Sequence, residues 1–253
     1  MRLLLDLGNT RLKWALQQQS GAWLAQGAVG WQEDMAALLM PLWTVLPQPS
    51  LVAAASVVDI EREAQVAAVV FHLFSVEQTW VRTPASACGV HNAYAEPQRL
   101  GVDRFLAMVA AHAEGYSPCV LAGVGTALTL DALAADGRHL GGLIAPGPQL
   151  MQQSLLGATA RVRPERPGNI LELADNTADA LASGCWQAAA ALIERFATRM
   201  AGQLDGTSTL ILAGGDAAQL LPLLSLPAQL TQDSVLRGLA MWVNAQMAEP
   251  SSI

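Results

Sequence analysis

Cysteine, clustered basic charge and long apolar runs are what this 253-residue sequence is short of. Its three cysteines, Cys88, Cys119 and Cys185, are odd in number, widely spaced and mostly set in apolar surroundings. They read as reduced core thiols of a cytosolic protein, without metal-ligand spacing. The four histidines, His72, His91, His112 and His139, are equally scattered, which argues against a His/Cys metal site. No apolar run approaches the ~20 residues of a membrane span. The best, Cys119 to Leu130, is interrupted by Gly123, Gly125 and two threonines and closed by Asp131. At the N-terminus, Arg2 precedes only Leu3, Leu4 and Leu5 before Asp6, the length of a buried strand and not of a signal peptide. Lys and Arg total 14 against 21 Asp and Glu, a net charge of −7. Nucleic-acid binding needs clustered basic residues, so no nucleic-acid partner is expected.

What the sequence does have is apolar content, 52% hydrophobic against 14% charged. A chain of this length buries a large core and suits one large domain or two of ordinary size. Residues 2–6 read as a buried strand, Gly8-Asn9 as a tight turn, 11–17 as a second strand and 22–29 as a third. Apolar spacing predicts a helix over 31–40, ending before Pro41. A strand over 50–58, a helix over 60–70, a strand over 72–82 and a helix over 103–112 follow. Gly115-Tyr116-Ser117-Pro118 punctuates the chain and divides it into domains 1–116 and 117–253.

Beyond that boundary the pattern starts again. Strands are expected at 119–122, 127–133 and 138–144, with turns at 123–125 and 135–137. A break at Pro146-Gly147-Pro148, a helix from about Gln149, a long helix over 177–200 and a strand over 210–213 complete the reading. Asp6-Leu7-Gly8-Asn9-Thr10-Arg11-Leu12-Lys13-Trp14-Ala15-Leu16 aligns without a gap on Gly123-Val124-Gly125-Thr126-Ala127-Leu128-Thr129-Leu130-Asp131-Ala132-Leu133. The repeat suggests two similar α/β domains facing each other across a cleft.

Phosphoryl transfer needs backbone N–H groups close to phosphate oxygens, a cation ligand and a base that positions the nucleophile. Gly8 and Gly125 supply turns without Cβ; Asn9, Thr10 and Thr126 add side-chain donors. Asp6 ends a strand where it suits Mg²⁺, directly or through water. Lys13 and Arg11 alternate onto one face. An ordinary hairpin explains the same residues. Gly101-Val102-Asp103-Arg104 precedes an apolar helix; Asp103 suits either an N-cap or a base beside an anion-gathering Arg104. Leu212-Ala213-Gly214-Gly215-Asp216 reads as a strand-to-helix turn, or as backbone against which an adenine or ribose lies.

In their order these elements resemble the superfamily of acetate and sugar kinases, heat-shock chaperone ATPases and actin. Within it the chain resembles type III pantothenate kinases, also labelled Bvg accessory factors. The resemblance rests on Asp6-Leu7-Gly8-Asn9-Thr10 with Lys13, Tyr94 and Pro97, Gly101-Val102-Asp103-Arg104, and Gly125 to Asp131. It continues through Gly141 to Gly147, Asn176-Thr177 with Gly184, and Gly214-Gly215-Asp216. It implies two ribonuclease-H-like domains, each a mixed sheet flanked by helices, with a nucleotide cleft between them. It further implies transfer of the ATP γ-phosphate to the 4′-hydroxyl of pantothenate in the cytoplasm, the first step of coenzyme A synthesis. Asp6, Leu7, Gly8, Asn9, Thr10, Arg11, Leu12, Lys13 and Thr126 then bind ATP, and Asp6 the metal. Asp103 is the base; Tyr94, Gly101, Val102, Asp103, Arg104 and Thr177 line the pantothenate pocket. A homodimer, Mg²⁺ and a monovalent cation, K⁺ or NH₄⁺, are implied as well. One position departs: the family's Asp two residues before Gly-Thr-Ala is Gly123 here, so the monovalent-cation site lacks that carboxylate. The alternatives are a nucleotide-binding accessory or regulatory protein, or a kinase for another small polyol.

Overall fold

The computed structural model describes residues 1–159, 161–204 and 208–248. Contacts divide the chain into two units. The first comprises Met1–Glu114 with the C-terminal helix Ser234–Ala248, the second Gly115–Asp233. The last helix thus belongs to the first unit and not to the second. Residues 249–253 of the expected second domain lie outside the described residues.

In the first unit, β1 (Arg2–Leu7), β2 (Arg11–Gln17) and β3 (Trp23–Gly30) form an antiparallel meander. Helix α1 (Met35–Trp43) leads to β4 (Leu51–Ser56), parallel to β1, and α2 (Ile60–Phe74) to β5 (Gln78–Val81), parallel to β4. A ribbon of β6 (Ser86–Ala87) and β7 (Val90–His91) precedes α3 (Val102–Ala113). The sheet order is β3-β2-β1-β4-β5.

Alternation along the strands splits the core in two. Leu3, Leu5, Leu7, Leu12, Trp14 and Leu16 pack with Met35, Leu39 and Trp43 of α1 and with Val66, Val70 and Phe74 of α2. Leu4, Ala15, Ala53, Ala55 and Val81 turn to the other face, under Val102 and Leu106 of α3 and Leu236, Leu239, Ala240 and Val243 of the C-terminal helix. Each fully buried Leu contributes roughly 1.5–3 kcal/mol. The C-terminal helix is held by Arg2, which donates to Asn244 Oδ1, and by Arg237, 3.2 Å from Glu114. A Cβ at Gly238 would lie 1.9 Å from the Leu106 carbonyl oxygen, so only glycine permits so close an approach to α3.

The second unit repeats the plan. β8 (Cys119–Val124), β9 (Ala127–Leu133) and β10 (His139–Pro146) form a meander, followed by α4 (Pro148–Ala158) and α5 (Thr177–Ala201). β11 (Thr209–Ala213), α6 (Ala217–Leu220) and β12 (Ala228–Leu230) close it before the C-terminal helix, α7. The order β10-β9-β8-β11-β12 is that of the first sheet. Val120, Ala122, Leu128 and Leu130 pack on Trp186, Ala189 and Ile193 of α5. No helix among the described residues is long and apolar enough to cross a membrane.

Three expectations are corrected. Helix α1 begins at Met35, capped by Asp34, which accepts from the Ala37 N–H, and it runs through Pro41. Burial of Met35, Leu39 and Trp43 at four-residue spacing outweighs the donor that proline lacks. Residues 72–74 are the last turn of α2, because Phe74 continues the buried stripe of Val66 and Val70; Ser75, in the left-handed region at φ +52°, ends the helix. The strand expected over 72–82 is reduced to 78–81. The turn expected at 123–125 is also narrower, since Gly123 and Val124 belong to β8.

Candidate active site

The first hairpin carries most of the expected nucleotide-binding residues. Gly8 N–H donates to the Arg11 carbonyl at 3.1 Å, and Asn9, Thr10 and Arg11 are exposed around the turn. Leu7 and Leu12 are fully buried in the core, so any part they take in binding is through their backbone. Asp6 and Lys13 stand directly opposite each other in the β1–β2 ladder, which places both side chains on one face of the sheet. Lys13 is the only lysine in the chain, a sequence signal that the motif reading passed over.

Ladder register identifies that face. Asp6 is level with Ala55 of β4, and Ala55 with Val81 of β5. This is the side covered by Val102 and Leu106 of α3. Asp103 is the second residue of α3, so the candidate base and the Asp6–Lys13 pair lie on the same side of the first sheet.

The helix cap is Gly101, not Asp103. The Asp103 carboxylate instead accepts the Arg104 N–H at 2.8 Å, an acidic group in the first turn where the helix dipole favours it. Arg104 is buried, and its Nη1 donates to the Tyr94 hydroxyl at 3.3 Å. Tyr94 is fixed through Asn92, whose Oδ1 accepts the Tyr94 N–H at 3.0 Å. The Asn92 amide donates in turn to the carbonyls of Pro84 and Pro97 at 3.4 and 3.1 Å. Tyr94, Gly101, Val102, Asp103 and Arg104 are thus brought together by one loop and one helix start. A carboxylate, a guanidinium and a phenol at this place suit recognition of a hydroxylated, acidic small molecule.

In the second unit three glycine-bearing segments meet at the β8–β9 turn. Gly125 N–H donates to the Ala127 carbonyl at 3.1 Å, and Gly147 N–H to the Thr126 carbonyl at 2.9 Å. A Cβ at Gly147 would fall 1.8 Å from the Gly125 carbonyl oxygen. From the other strand end, Asp216 N–H donates to the Val124 carbonyl at 3.1 Å, and Gln149 Nε2 donates to Asp216 Oδ1 at 2.8 Å. Thr126 is exposed at the tip.

The internal repeat holds with a one-residue correction. Leu7 pairs with Leu12 in the first hairpin, whereas Val124 pairs with Leu128 in the second. The second turn is therefore one residue shorter, and Thr129, not Leu130, is the counterpart of Lys13. Gly123 faces Thr129 as Asp6 faces Lys13. A Cβ at Gly123 would come 2.6 Å from Thr129 Oγ1. Sequence reading also missed a buried pair across β9 and β10: His139 Nε2 lies 2.9 Å from Asp131 Oδ1.

Thr177, in the second unit, is exposed at the start of α5 behind the Asn176 cap. Next to it, Asp179 accepts from Arg166 Nη1 and Nη2 at 2.9 and 3.0 Å, from Asn176 Nδ2 at 2.7 Å and from Asn169 N–H at 2.7 Å. The Arg166 guanidinium, followed by Asn176 and Asn169, holds its carboxyl well below the usual carboxylate range. A depressed folded-state pKa contributes stability above the unfolded value of about 3.9, which is lost as pH falls through the folded value. The thermal midpoint of Asp179→Asn should therefore lie below that of the natural chain near neutrality, with the gap narrowing in strong acid. A gap constant with pH would remove this ion pair from the stability of the segment.

Among the described residues, no group of three or more His, Cys, Asp or Glu is gathered as a metal site. A single carboxylate such as Asp6 suits Mg²⁺ that arrives with phosphate oxygens, which takes only one or two protein carboxylates.

Comparisons with known proteins identify the family. The family model for type III pantothenate kinase matches residues 2–199. A type III pantothenate kinase of Laribacter hongkongensis is 42% identical over 247 residues, covering 95% of this chain and 97% of that protein. One from Xanthomonas campestris pv. campestris is 41% identical over 245 residues, covering 97% and 98%. Among solved structures, a conserved Baf-family protein from Campylobacter jejuni superposes with a TM-score of 0.61 at 16% identity, covering 98% of this chain and 100% of that one. The ADPNP-bound activator of 2-hydroxyisocaproyl-CoA dehydratase from Clostridium difficile gives 0.51 at 12% identity, covering 100% and 99%. At these identities the two structures speak for the fold alone, two α/β units each built on a five-stranded sheet. Family model and full-length relatives together place this chain in the type III pantothenate kinase family.

Proposed function

We propose that the chain transfers the γ-phosphoryl group of ATP to the 4′-hydroxyl of pantothenate, the first step of coenzyme A synthesis, in the cytoplasm. Membership of the family over nearly the whole chain carries this reading. Asp103, beside Arg104 and Tyr94, takes the proton of the 4′-hydroxyl as its oxygen attacks the γ-phosphorus. An oxygen–phosphorus bond forms, the bond from the γ-phosphorus to the β–γ bridging oxygen breaks, and ADP leaves. Arg104, Tyr94 and Thr177 hold pantothenate. The backbone of 6–13, the side chains of Asn9, Thr10 and Lys13, and Thr126 hold the phosphates. Asp6 would hold Mg²⁺, directly or through water, and the ion would neutralise phosphate charge.

The monovalent-cation site is proposed to be weakened. Position 123 carries no carboxylate, and the Thr129 hydroxyl occupies the space where a side chain there would begin. A homodimer belongs to the same proposal, with the exposed Leu143, Ile144, Leu155, Leu171 and Leu173 of the second unit as candidate contacts. A coupled ADP-release assay with Mg²⁺, with and without pantothenate, in Na⁺, K⁺ and NH₄⁺ salts, tests the reading. Release should require pantothenate and depend little on the monovalent salt. ATP binding without pantothenate-dependent release would favour a nucleotide-binding accessory protein, and release with another polyol alone would reassign the acceptor. A steep K⁺ requirement would show that the cation is anchored without a carboxylate at position 123.

A further inference from the structure

Trp31 falls outside every nucleotide-binding expectation, having been read as the first residue of a helix. It leaves the end of β3, where Gly30 pairs with Arg11, and so lies beside the Gly8–Thr10 turn. Its indole Nε1–H donates to the Gly8 carbonyl at 2.8 Å, across 23 residues of sequence. The Arg62 guanidinium covers the same ring, 5.2 Å from its centroid, and Asp59 holds Arg62 at 3.6 Å. A ring capped in this way has little freedom to swing away from the carbonyl.

Peptide planarity carries the consequence. The Gly8 carbonyl and the Asn9 N–H belong to one trans peptide unit and point in opposite directions. Pinning the carbonyl on Trp31 turns the Asn9 N–H away from Trp31. Gly8's own N–H is taken by Arg11, and among the described residues no hydrogen bond takes the Asn9 N–H. The turn therefore presents one amide donor in a fixed direction, as anion-binding turns do.

We propose that Trp31 is a positioning residue for the nucleotide: through the Gly8 carbonyl it holds the Asn9 N–H toward a phosphate oxygen of ATP. This rests on the reading of residues 6–13 as the ATP-binding segment. The test compares Trp31→Phe and Trp31→His in the full-length chain by KM for ATP, KM for pantothenate, kcat and thermal midpoint. Phe keeps an aromatic ring and removes the N–H. His is smaller, but its Nε2, like the tryptophan Nε1, stands two bonds from Cγ in a five-membered ring and can donate.

Trp31→Phe should raise the ATP KM about tenfold, the scale of one hydrogen bond, with the pantothenate KM within about twofold. Trp31→His should hold ATP better than Trp31→Phe even where the Phe protein is the more stable. An unchanged ATP KM in Trp31→Phe overturns the proposal, as does an ATP KM that simply follows the thermal midpoint, with Phe ahead of His. An acyl-phosphate derivative of ATP tests the underlying reading separately, because Lys13 is the only lysine. ATP-protected acylation of Lys13 supports the hairpin as the phosphate site. Without acylation there, the hairpin reading fails and Trp31 with it; with acylation but an unchanged ATP KM in Trp31→Phe, only the Trp31 proposal fails.

Discussion

Replacing Asp103 by Asn is expected to lower turnover by about 10²–10⁴-fold, the usual contribution of a general base, while leaving the fold intact. The substitution is close to isosteric. The Asn Oδ1 still accepts the Arg104 N–H, which Asp103 takes at 2.8 Å, so that hydrogen bond at the start of α3 is kept. The same oxygen rests against Gly101, where an added Cβ would approach it to 2.5 Å, so the amide inherits a shaped place. What is lost is a group that can take the proton of the attacking hydroxyl. In free energy this is about 3–5 kcal/mol of barrier. The measurement is kcat for pantothenate-dependent ADP release beside the thermal midpoint. Full activity in a folded Asp103→Asn protein would remove Asp103 from the role of base.

Gly147→Ala is expected to damage both stability and nucleotide binding. The new Cβ would fall 1.8 Å from the Gly125 carbonyl oxygen and 3.0 Å from that of Thr126. Both are backbone atoms, which cannot turn aside as a side chain would. Either the β8–β9 turn or the start of α4 must move, at a cost of about 1–3 kcal/mol. For a chain of this size that is a fall of several degrees in thermal midpoint. Because the displaced turn carries Thr126, the ATP KM should rise as well; misplacement by about 1 Å costs on the order of 100-fold at a positioned site. Gly157→Ala is the matched control. It lies in the same helix with nothing within 4 Å of its Cβ position, so it should be neutral or slightly stabilising. Equal midpoints and equal ATP KM in the two variants would show that Gly147 does not lock the turn.

How much of the fold is legible in the sequence depends on how local the cause is. The strand over 11–17, the strand over 127–133 and the start of α5 at Thr177 coincide with expectation. Each is set by its own alternation or cap. The errors share another cause. Pro41 bounds the expected helix and His72 begins the expected strand, and the burial of Trp43 and Phe74 against strands elsewhere in the chain overrides both. Helix α7 was missed altogether: its apolar stripe has meaning only against Leu4, Ala53 and Leu106. The repeat was found by its glycines but misaligned by one residue, because an ungapped match cannot see that one turn is shorter. In a strand that slip moves every side chain to the opposite face.

By itself the sequence determined the two hairpins with glycine turns, the apolar helices, the acidic net charge and, through its motifs, the family. These are properties of neighbouring residues, encoded in periods of two and 3.6 and in turn chemistry. Only the tertiary structure decided that Asp6, Lys13 and the α3 start bearing Asp103 share one side of a sheet. It alone set Arg104 on Tyr94, closed Gly147 over Gly125, and drew Trp31 out of a supposed helix onto the Gly8 carbonyl. Each of these joins residues far apart in the chain through ladder register and packing, and no local pattern specifies which distant partner a side chain will meet.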